Sequence, residues 1–213
     1  VNAIDGVWEV QGDLTLTSTN CGSPTFANVG LLRKTAGTGT MTVASCVALT
    51  NTGTLDLQSG ALAVQAPATL TSSGHVTAGA GTTFYLAGVT LESGSTFSGT
   101  GTLRMNGTTT VTGDLTVPVP VLLEGTVTGA GKLTLAAAMT WTVGTVSLAG
   151  GLEVGAAQTL TVSTSNQHVL IGPLTNHGTV AWTDGVFYIQ STNAVVNAID
   201  GVWEVQGDLT LTS

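Results

Sequence analysis

The first eighteen residues of the chain, Val1 to Ser18, recur without change as Val196 to Ser213, at an offset of 195 residues. Identity of this length at a fixed period marks a repeat architecture. We therefore expect residues 1–195 to form one complete tandem-repeat unit of a solenoid and residues 196–213 to start the next identical unit. The two copies should adopt the same backbone, related by a translation along the axis with a modest rotation. Such an array is typical of an extended fibre rather than of a compact enzyme.

The residues between the two copies have the composition of an all-β chain. Only 8% of the residues are charged, against about a quarter in ordinary globular domains. Val, Leu and Thr, which favour strands, alternate over short runs that end at Gly. Alternation over four to six residues predicts a half-buried strand, and no stretch has helical spacing over three turns.

A second, shorter period lies inside the unit. Five glycines are each followed, two places later, by a large apolar residue: Gly6, Gly30, Gly53, Gly178 and Gly201. A step of about 23 residues, without a crossover helix, predicts one coil of a parallel β-solenoid. We expect a right-handed parallel β-helix of about 8–9 coils per unit, the hand following the rule for parallel crossovers.

This register assigns positions to individual side chains. Two places after the opening glycine, an inward core ladder is predicted at Trp8, Leu32, Leu55, Val180 and Trp203. Three places after it, an outward charge ladder is predicted at Glu9, Arg33 and Asp56. Two places before it, at the turn, lie Asn28, Asn51 and Asn176, the first two of which are expected to stack as an amide ladder. The same register points Lys34 inward, and we expect a β-bulge to relieve this.

The two cysteines are also placed by this period. Cys21 and Cys46 match no zinc or redox spacing. They lie nine and seven residues before Gly30 and Gly53, so stacked coils should bring them within disulfide distance. A bridge would indicate an oxidising compartment.

Charge and motif content exclude several classes of function. A net charge of −8 with four Lys and Arg residues provides no basic stripe, which argues against nucleic-acid binding. No uninterrupted apolar segment is long enough for a membrane span. The acidic residues are scattered singly and the three histidines fall on different coils, so we expect no catalytic residue, no cofactor, no metal site and no enzyme activity.

Several runs, among them NTGTLDLQSG, SGTGTLRMNGTTTVTGDLTV and GTVTGAGKLTL, carry a resemblance. They resemble the Gly/Thr-rich β-helical repeats of very large bacterial surface and secreted proteins, including adhesin-like and autotransporter-passenger-like sequences. The resemblance implies a parallel β-helix outside the cell or at its surface, serving as a stalk, filament or adhesive shaft. Its implied partners are further copies of the repeat, end to end in the same chain, together with lateral fibre contacts or surface glycans.

Two other functions remain open at this point. A glycan- or surface-binding module is conceivable, with an aromatic platform formed by Trp141, Trp182, Phe187 and Tyr188, although Trp182 falls on an inward position. Ice binding is the other, through outward Thr-x-Thr pairs at Thr15/Thr17, Thr38/Thr40, Thr108/Thr110, Thr110/Thr112, Thr140/Thr142 and Thr159/Thr161. These pairs do not recur at a constant spacing, and ice binding requires four or more of them to align on one flat face.

Overall fold

The fold is an all-β parallel solenoid. The computed structural model describes residues 1–19, 21–22, 24–65, 68–190 and 195–212. These residues contain thirty β-strands and no helix, as the alternating pattern predicts. A membrane-spanning helix is accordingly not found among them.

The strands, numbered in chain order, are β1 (Val7–Val10), β2 (Thr15–Leu16), β3 (Thr25–Asn28), β4 (Leu31–Lys34), β5 (Thr40–Val43), β6 (Ala48–Asn51), β7 (Thr54–Leu57), β8 (Ala61–Val64), β9 (Thr69–Ser72), β10 (His75–Ala78), β11 (Thr83–Tyr85), β12 (Val89–Leu91), β13 (Thr96–Gly99), β14 (Thr102–Met105), β15 (Thr108–Val111), β16 (Leu115–Val117), β17 (Val121–Leu123), β18 (Thr126–Gly129), β19 (Leu133–Leu135), β20 (Met139–Trp141), β21 (Gly144–Leu148), β22 (Leu152–Val154), β23 (Thr159–Val162), β24 (Gln167–Leu170), β25 (Leu174–Asn176), β26 (Thr179–Trp182), β27 (Val186–Ile189), β28 (Val195–Asn197), β29 (Val202–Val205) and β30 (Thr210–Thr212).

Three consecutive strands make one coil, so the chain winds around three faces. Within each sheet a strand pairs in parallel with the strand three places along the chain. Face 1 consists of the sheet β1-β4-β7-β10-β13 followed by the sheet β16-β19-β22-β25-β28. Face 2 is the ten-stranded sheet from β2 to β29, and face 3 is the ten-stranded sheet from β3 to β30. The solenoid makes about nine turns between β1 and β28.

The core lies along the axis because side chains alternate inward and outward along every strand. On face 1, Leu32, Leu55, Val76 and Phe97 are register partners on successive coils. All four are at most 5% exposed. One continuous apolar core therefore runs through the described coils.

Coil length is not constant. On face 2, the first step along the sheet runs from Thr15 to its register partner Thr42. In the middle of the chain the corresponding step is much shorter, since Leu103 already pairs with Val121. The expected coil length therefore holds for face 1 of the first coils, where Val7 pairs with Leu31 and Leu31 with Thr54. The differences between coils are taken up at the corners.

The opening glycines also occupy more than one corner. Gly53 lies at the corner between faces 3 and 1, where a Cβ would stand 2.2 Å from the carbonyl oxygen of Gly30 on the coil below. This close approach requires glycine there. Gly178 and Gly201, expected to continue the same series, instead lie at the corner between faces 1 and 2.

The two identical segments are both stranded but lie one face apart. Val7–Val10 forms β1 on face 1, whereas the same four residues, Val202–Val205, form β29 on face 2. From β1 to β29 the chain passes through nine full turns and one strand more. The expected modest rotation was wrong, because the second copy is turned by a whole face.

Candidate functional surfaces: ladders, a threonine face and open ends

The predicted core ladder is two ladders on different faces. Trp8, Leu32 and Leu55 are register partners on face 1. Val180 and Trp203 are partners on face 2, one face further round. Trp8 is 48% exposed because it lies in the first coil, where its ring packs edge-on against Phe26 at 5.0 Å between centroids. The prediction of a buried Trp8 was therefore wrong for this coil.

The charge ladder lies on the outside of face 1. Glu9, Arg33 and Asp56 are register partners on three successive coils. The Arg33 guanidinium donates to the Glu9 carboxylate through Nε at 3.0 Å and Nη2 at 2.5 Å. Hydrogen bonds from Gln11 and then Arg33 lower the pKa of Glu9. Asp56 accepts a hydrogen bond from Gln58 Nε2 at 2.6 Å.

Lys34 points into the solenoid without a bulge, so the expected distortion is absent and β4 keeps a regular register. Its side chain is 1% exposed. The ammonium donates to the carbonyl oxygens of Ala36, Gly37 and Ser59 at 2.8, 2.7 and 3.2 Å. It also lies 3.1 Å from the carboxylate of Asp13. Because a lysine ammonium has three donors, this corner satisfies it fully and no bulge is needed.

An amide ladder runs along the corner between faces 3 and 1. Asn2 Nδ2 donates to Asn28 Oδ1 at 2.7 Å, and Asn28 Nδ2 donates to Asn51 Oδ1 at 2.8 Å. Asn51 Nδ2 donates to Ser72 Oγ at 3.2 Å. Asn176 belongs to the corner between faces 1 and 2, since it closes β25.

There Asn176 starts a ladder of the same kind. Its Nδ2 donates to Oδ1 of Asn197 at 2.7 Å and to the carbonyl oxygen of Val202 at 2.8 Å. Asn197 is the counterpart of Asn2 in the second copy of the repeated segment. The structure thus brings Asn28 and Asn51 together and places Asn176 elsewhere.

Cys21 and Cys46 form a disulfide that links consecutive coils. Cys21 lies between β2 and β3, and Cys46 lies between β5 and β6. Their Cα atoms are 5.2 Å apart and the bridge spans a sequence separation of 25 residues. The second and third faces of the first two coils are therefore tied covalently.

The cations are paired rather than gathered into a site. Each Lys and Arg pairs with a carboxylate from a neighbouring coil: Arg33 with Glu9, Lys34 with Asp13, Arg104 with Glu124, and Lys132 with Glu153. The hydrogen bond with Glu124 raises the pKa of Arg104, and the one with Glu153 raises the pKa of Lys132. The described ranges hold no cluster of three or more His, Cys, Asp and Glu side chains that would ligate a metal ion.

The expected aromatic platform is mostly interior. Trp141, Trp182 and Phe187 are at most 4% exposed. They pack together in the core, with the Phe187 ring 5.7 Å from Trp141 and 5.8 Å from Trp182 between centroids. Only Tyr188 is partly exposed. These four residues therefore do not form a surface on which a sugar ring could stack.

Face 3 is chemically different from the other two faces. Its ten strands contain no Asp, Glu, Lys or Arg, whereas faces 1 and 2 carry charges such as Arg33 and Arg104. One outward position is a hydroxyl residue on six consecutive coils: Thr50, Thr71, Thr90, Thr110, Thr128 and Ser147. We call the outward surface formed by these six residues, together with the parallel row of hydroxyl residues described next, the threonine face.

A second row of outward hydroxyl side chains lies two residues earlier on four of the same strands, at Thr69, Thr108, Thr126 and Thr145. On this face, paired hydroxyl residues form a lattice of about 4.8 Å along the axis and about 6.6 Å along each strand. Within the part of the chain that the structure describes, none of these hydroxyl groups hydrogen-bonds to another protein group. They are therefore free to bind molecules outside the solenoid.

Sequence reasoning found only part of this face. Of the predicted Thr-x-Thr pairs, Thr108/Thr110 belongs to it, whereas Thr69/Thr71 and Thr126/Thr128 were missed. The steps along the ladder are unequal, as those from Thr50 to Thr71 and from Thr110 to Thr128 show, so no constant spacing reveals it. Strand runs of the form TLT, TTT, TVT and TVS are the signal that marks it.

The two ends of the solenoid are open and apolar. Among the residues that the structure describes, ten of the twelve exposed large hydrophobic residues lie in the two copies of the repeated segment: Val1, Ile4, Val7, Trp8, Leu14, Val196, Ile199, Val202, Val205 and Leu211. At the first end, Trp8, Leu14 and Phe26 line an apolar hollow. At the other end, Trp182, Trp203 and Leu209 line a second one. The core is therefore uncovered at both ends of the axis.

The chain was compared with protein-family models, with curated proteins and with solved structures, and it matches none of them.

Proposed function

We propose that this chain is a segment of a long structural shaft, built from identical 195-residue solenoid units stacked end to end. The observation that carries the proposal is the recurrence without change of residues 1–18 as residues 196–213, together with the pairing of the second copy on the sheets of the first unit. A further unit stacked on either end would cover the exposed core and pair the free strand edges.

The contacts of the second copy with residues 1–195 support this proposal, in which they form the junction between units. Trp203 of the second copy is the register partner of Val180, and its ring lies 6.1 Å from that of Phe187 between centroids. The first residues of the second copy thus pack on the core of the first unit. Continuation of the same sequence would extend that core without a break.

The resemblance to bacterial surface repeats supports a place outside the cell or at its surface. The Cys21–Cys46 bridge is consistent with such an oxidising setting. The proposed partners are further units of the same chain, with lateral contacts between neighbouring shafts.

Thermal unfolding tests the stacking proposal. A protein of two consecutive units should melt at a higher temperature than one unit, because each unit gains an interface with its neighbour. Trp203→Asp, placed at the junction, should return the melting temperature of the two-unit protein towards that of one unit. Equal melting of the one-unit and two-unit proteins would contradict the proposal.

A second candidate function, ice binding, is favoured by the threonine face. Three Thr-x-Thr pairs and the Thr145/Ser147 pair lie on one sheet. On the three adjacent coils among them, both residues of each pair are register partners of the pair on the next coil. An uncharged lattice of free hydroxyl and methyl groups can match a periodic water surface, which charged side chains would disorder.

Thermal hysteresis measures this activity directly. Thr110→Lys together with Thr128→Lys should abolish it, because two charges would interrupt the central ladder. Thr140→Lys is the matched control, since Thr140 points outward from face 2. Absence of hysteresis in the unmodified protein, or equal loss in the control, would exclude this candidate.

A further inference from the structure

The two copies of the repeated segment make equivalent contacts at positions that differ by one face. Asn2 bridges to Asn28 of face 3, whereas its counterpart Asn197 pairs with Asn176 of face 1. Val7–Val10 lies on face 1 and Val202–Val205 on face 2. The third stretch, at Thr15 in the first copy, moves from face 2 to face 3. Every strand of the second copy is thus one face ahead of the first.

We infer that successive units of the shaft are each rotated by one face about the axis, so that the pattern of surfaces repeats only after three units. This inference rests on the proposed head-to-tail array. A unit that spans nine turns and one extra strand cannot return to the face on which it began. Three such units contain a whole number of turns.

The asparagine ladders indicate which contacts stabilise a junction at which the next unit is rotated by one face. In this chain, Asn176 donates to Asn197, and Asn2 donates to Asn28, which in turn donates to Asn51. Because Asn197 and Asn2 are the same residue of the repeat, the two ladders join into one in an array. A single column of amides then crosses each junction, from Asn176 of one unit to the Asn51 equivalent of the next.

The contacts around each ladder agree with this continuity. Asn28 Nδ2 donates to the carbonyl oxygen of Thr54, 26 residues later, at 2.9 Å. Asn176 Nδ2 donates to the carbonyl oxygen of Val202, also 26 residues later, at 2.8 Å. These buried amides make the same bonds within a unit and across a junction. The column that crosses one junction occupies one corner, and the column at the next junction occupies the following corner.

The rotation determines how the shaft presents its threonine face. The threonine face of one unit lies on face 3, so that of the next unit lies on the side of face 1, and that of the third on the side of face 2. The uncharged patches therefore follow a three-unit spiral, with an axial repeat of about 135 Å at ~4.8 Å per coil.

Cysteine cross-linking in the full chain tests which face of the solenoid the second copy occupies at the junction. Ala181 and Glu204 are outward register partners on face 2. In the double variant Ala181→Cys and Glu204→Cys, a disulfide should form nearly completely, because register partners in a parallel sheet lie about 4.8 Å apart. Thr175→Cys with Glu204→Cys should form almost none, since Thr175 lies on face 1. Peptide mapping by mass spectrometry distinguishes these bridges from Cys21–Cys46.

A third pair, Glu153→Cys with Thr175→Cys, is the positive control, because these residues are register partners within the unit. Bridging of 175 with 204 instead of 181 with 204 would overturn the rotation while leaving end-to-end stacking intact. Failure of both junction pairs, with the control bridged, would also overturn it. Equal melting of one-unit and two-unit proteins, in contrast, would count against the stacking proposal itself.

Electron microscopy of a six-unit protein provides a second readout. A bulky label at Thr110→Cys should appear in successive units on three different sides, with every third label aligned. Labels in a single line along the shaft would overturn the inference.

Discussion

The first three coils (β1–β9) and the middle coils (β13–β21) reach the same architecture by different means. On face 2, the first step runs from Thr15 to Thr42, whereas a middle step runs only from Leu103 to Val121. The first coils contain the disulfide, the buried ammonium of Lys34 and the asparagine ladder. Between residues 96 and 148, all of which the structure describes, a single polar residue is buried, namely Thr109.

The difference teaches how a solenoid tolerates unequal coils. Short corners leave few backbone groups to satisfy, so core packing and the hydrogen bonds between paired strands hold the middle coils with little help from buried polar side chains. Longer corners carry additional carbonyl and amide groups that must be paired when they are buried. Polar side chains such as Lys34 and Asn28 pair these groups in the first coils, and the disulfide joins two of the long corners covalently.

The largest expected effect is that of Lys34→Ala. The substitution removes a buried stem and leaves the carbonyl oxygens of Ala36 and Ser59 without their donor, while that of Gly37 keeps only the Ser59 hydroxyl. We expect a cost of about 3–4 kcal/mol in the free energy of unfolding. Lys34→Met keeps most of the stem and should lose less. Arg104→Ala, at an exposed pair in the middle coils, should cost less than about 1 kcal/mol. Denaturant titration measures all three, and equal losses at positions 34 and 104 would break the comparison.

Removal of the disulfide should have the next largest effect. Cys21→Ser with Cys46→Ser opens a loop of about 25 residues, and the chain-entropy model gives a cost of about 3 kcal/mol. Hydrogen exchange should show faster exchange in β2, β3, β5 and β6, with β13–β21 unchanged. Uniform loss of protection along the whole chain would show that the disulfide does not stabilise the first coils in particular.

Asn51→Ala should have a smaller effect, of about 2 kcal/mol. It removes one acceptor of the buried Asn28 amide, which keeps its bond to Thr54, and it leaves the Ser72 hydroxyl without its donor. Asn106→Ala, at an exposed position of the middle coils, is the control and should be nearly neutral. Thermal melting of both variants gives the difference. A neutral Asn51→Ala would show that the ladder contributes nothing to stability.

The smallest effect concerns pH. The pKa of Glu9 is lowered by its bonds to Gln11 and Arg33, and the pKa of Asp200 is lowered chiefly by its bond to His177. A carboxyl group whose pKa falls on folding contributes stability above its unfolded pKa, about 4.3 for Glu and 3.9 for Asp, and loses it as the pH falls through the folded value. Glu9→Gln should therefore make the acid-side decline in melting temperature slightly shallower. An unchanged decline would show that this exposed pair is inert.

The sequence was sufficient to predict strands, the solenoid and the pairing of Glu9 with Arg33, because alternation and a regular local period fix the register of face 1 in the first coils. Val180 is buried and Asn176 lies at a corner, as predicted. Neither continues the ladder of the first coils, because shorter coils in between shift later residues to another face. The environment of Lys34 was beyond prediction, since backbone carbonyl groups from two coils create it and they leave no pattern in the sequence.

The disulfide has a mechanical consequence. Hydrogen bonds between coils run along the axis, so we expect a solenoid pulled from its ends to open one coil at a time. A freed coil of about 18 residues would extend to roughly 60 Å, more than ten times its height in the solenoid. The Cys21–Cys46 bridge withholds the 25-residue stretch between its ends from that extension. In a shaft of identical units, an advancing tear would meet such a covalent stop once in every 195 residues.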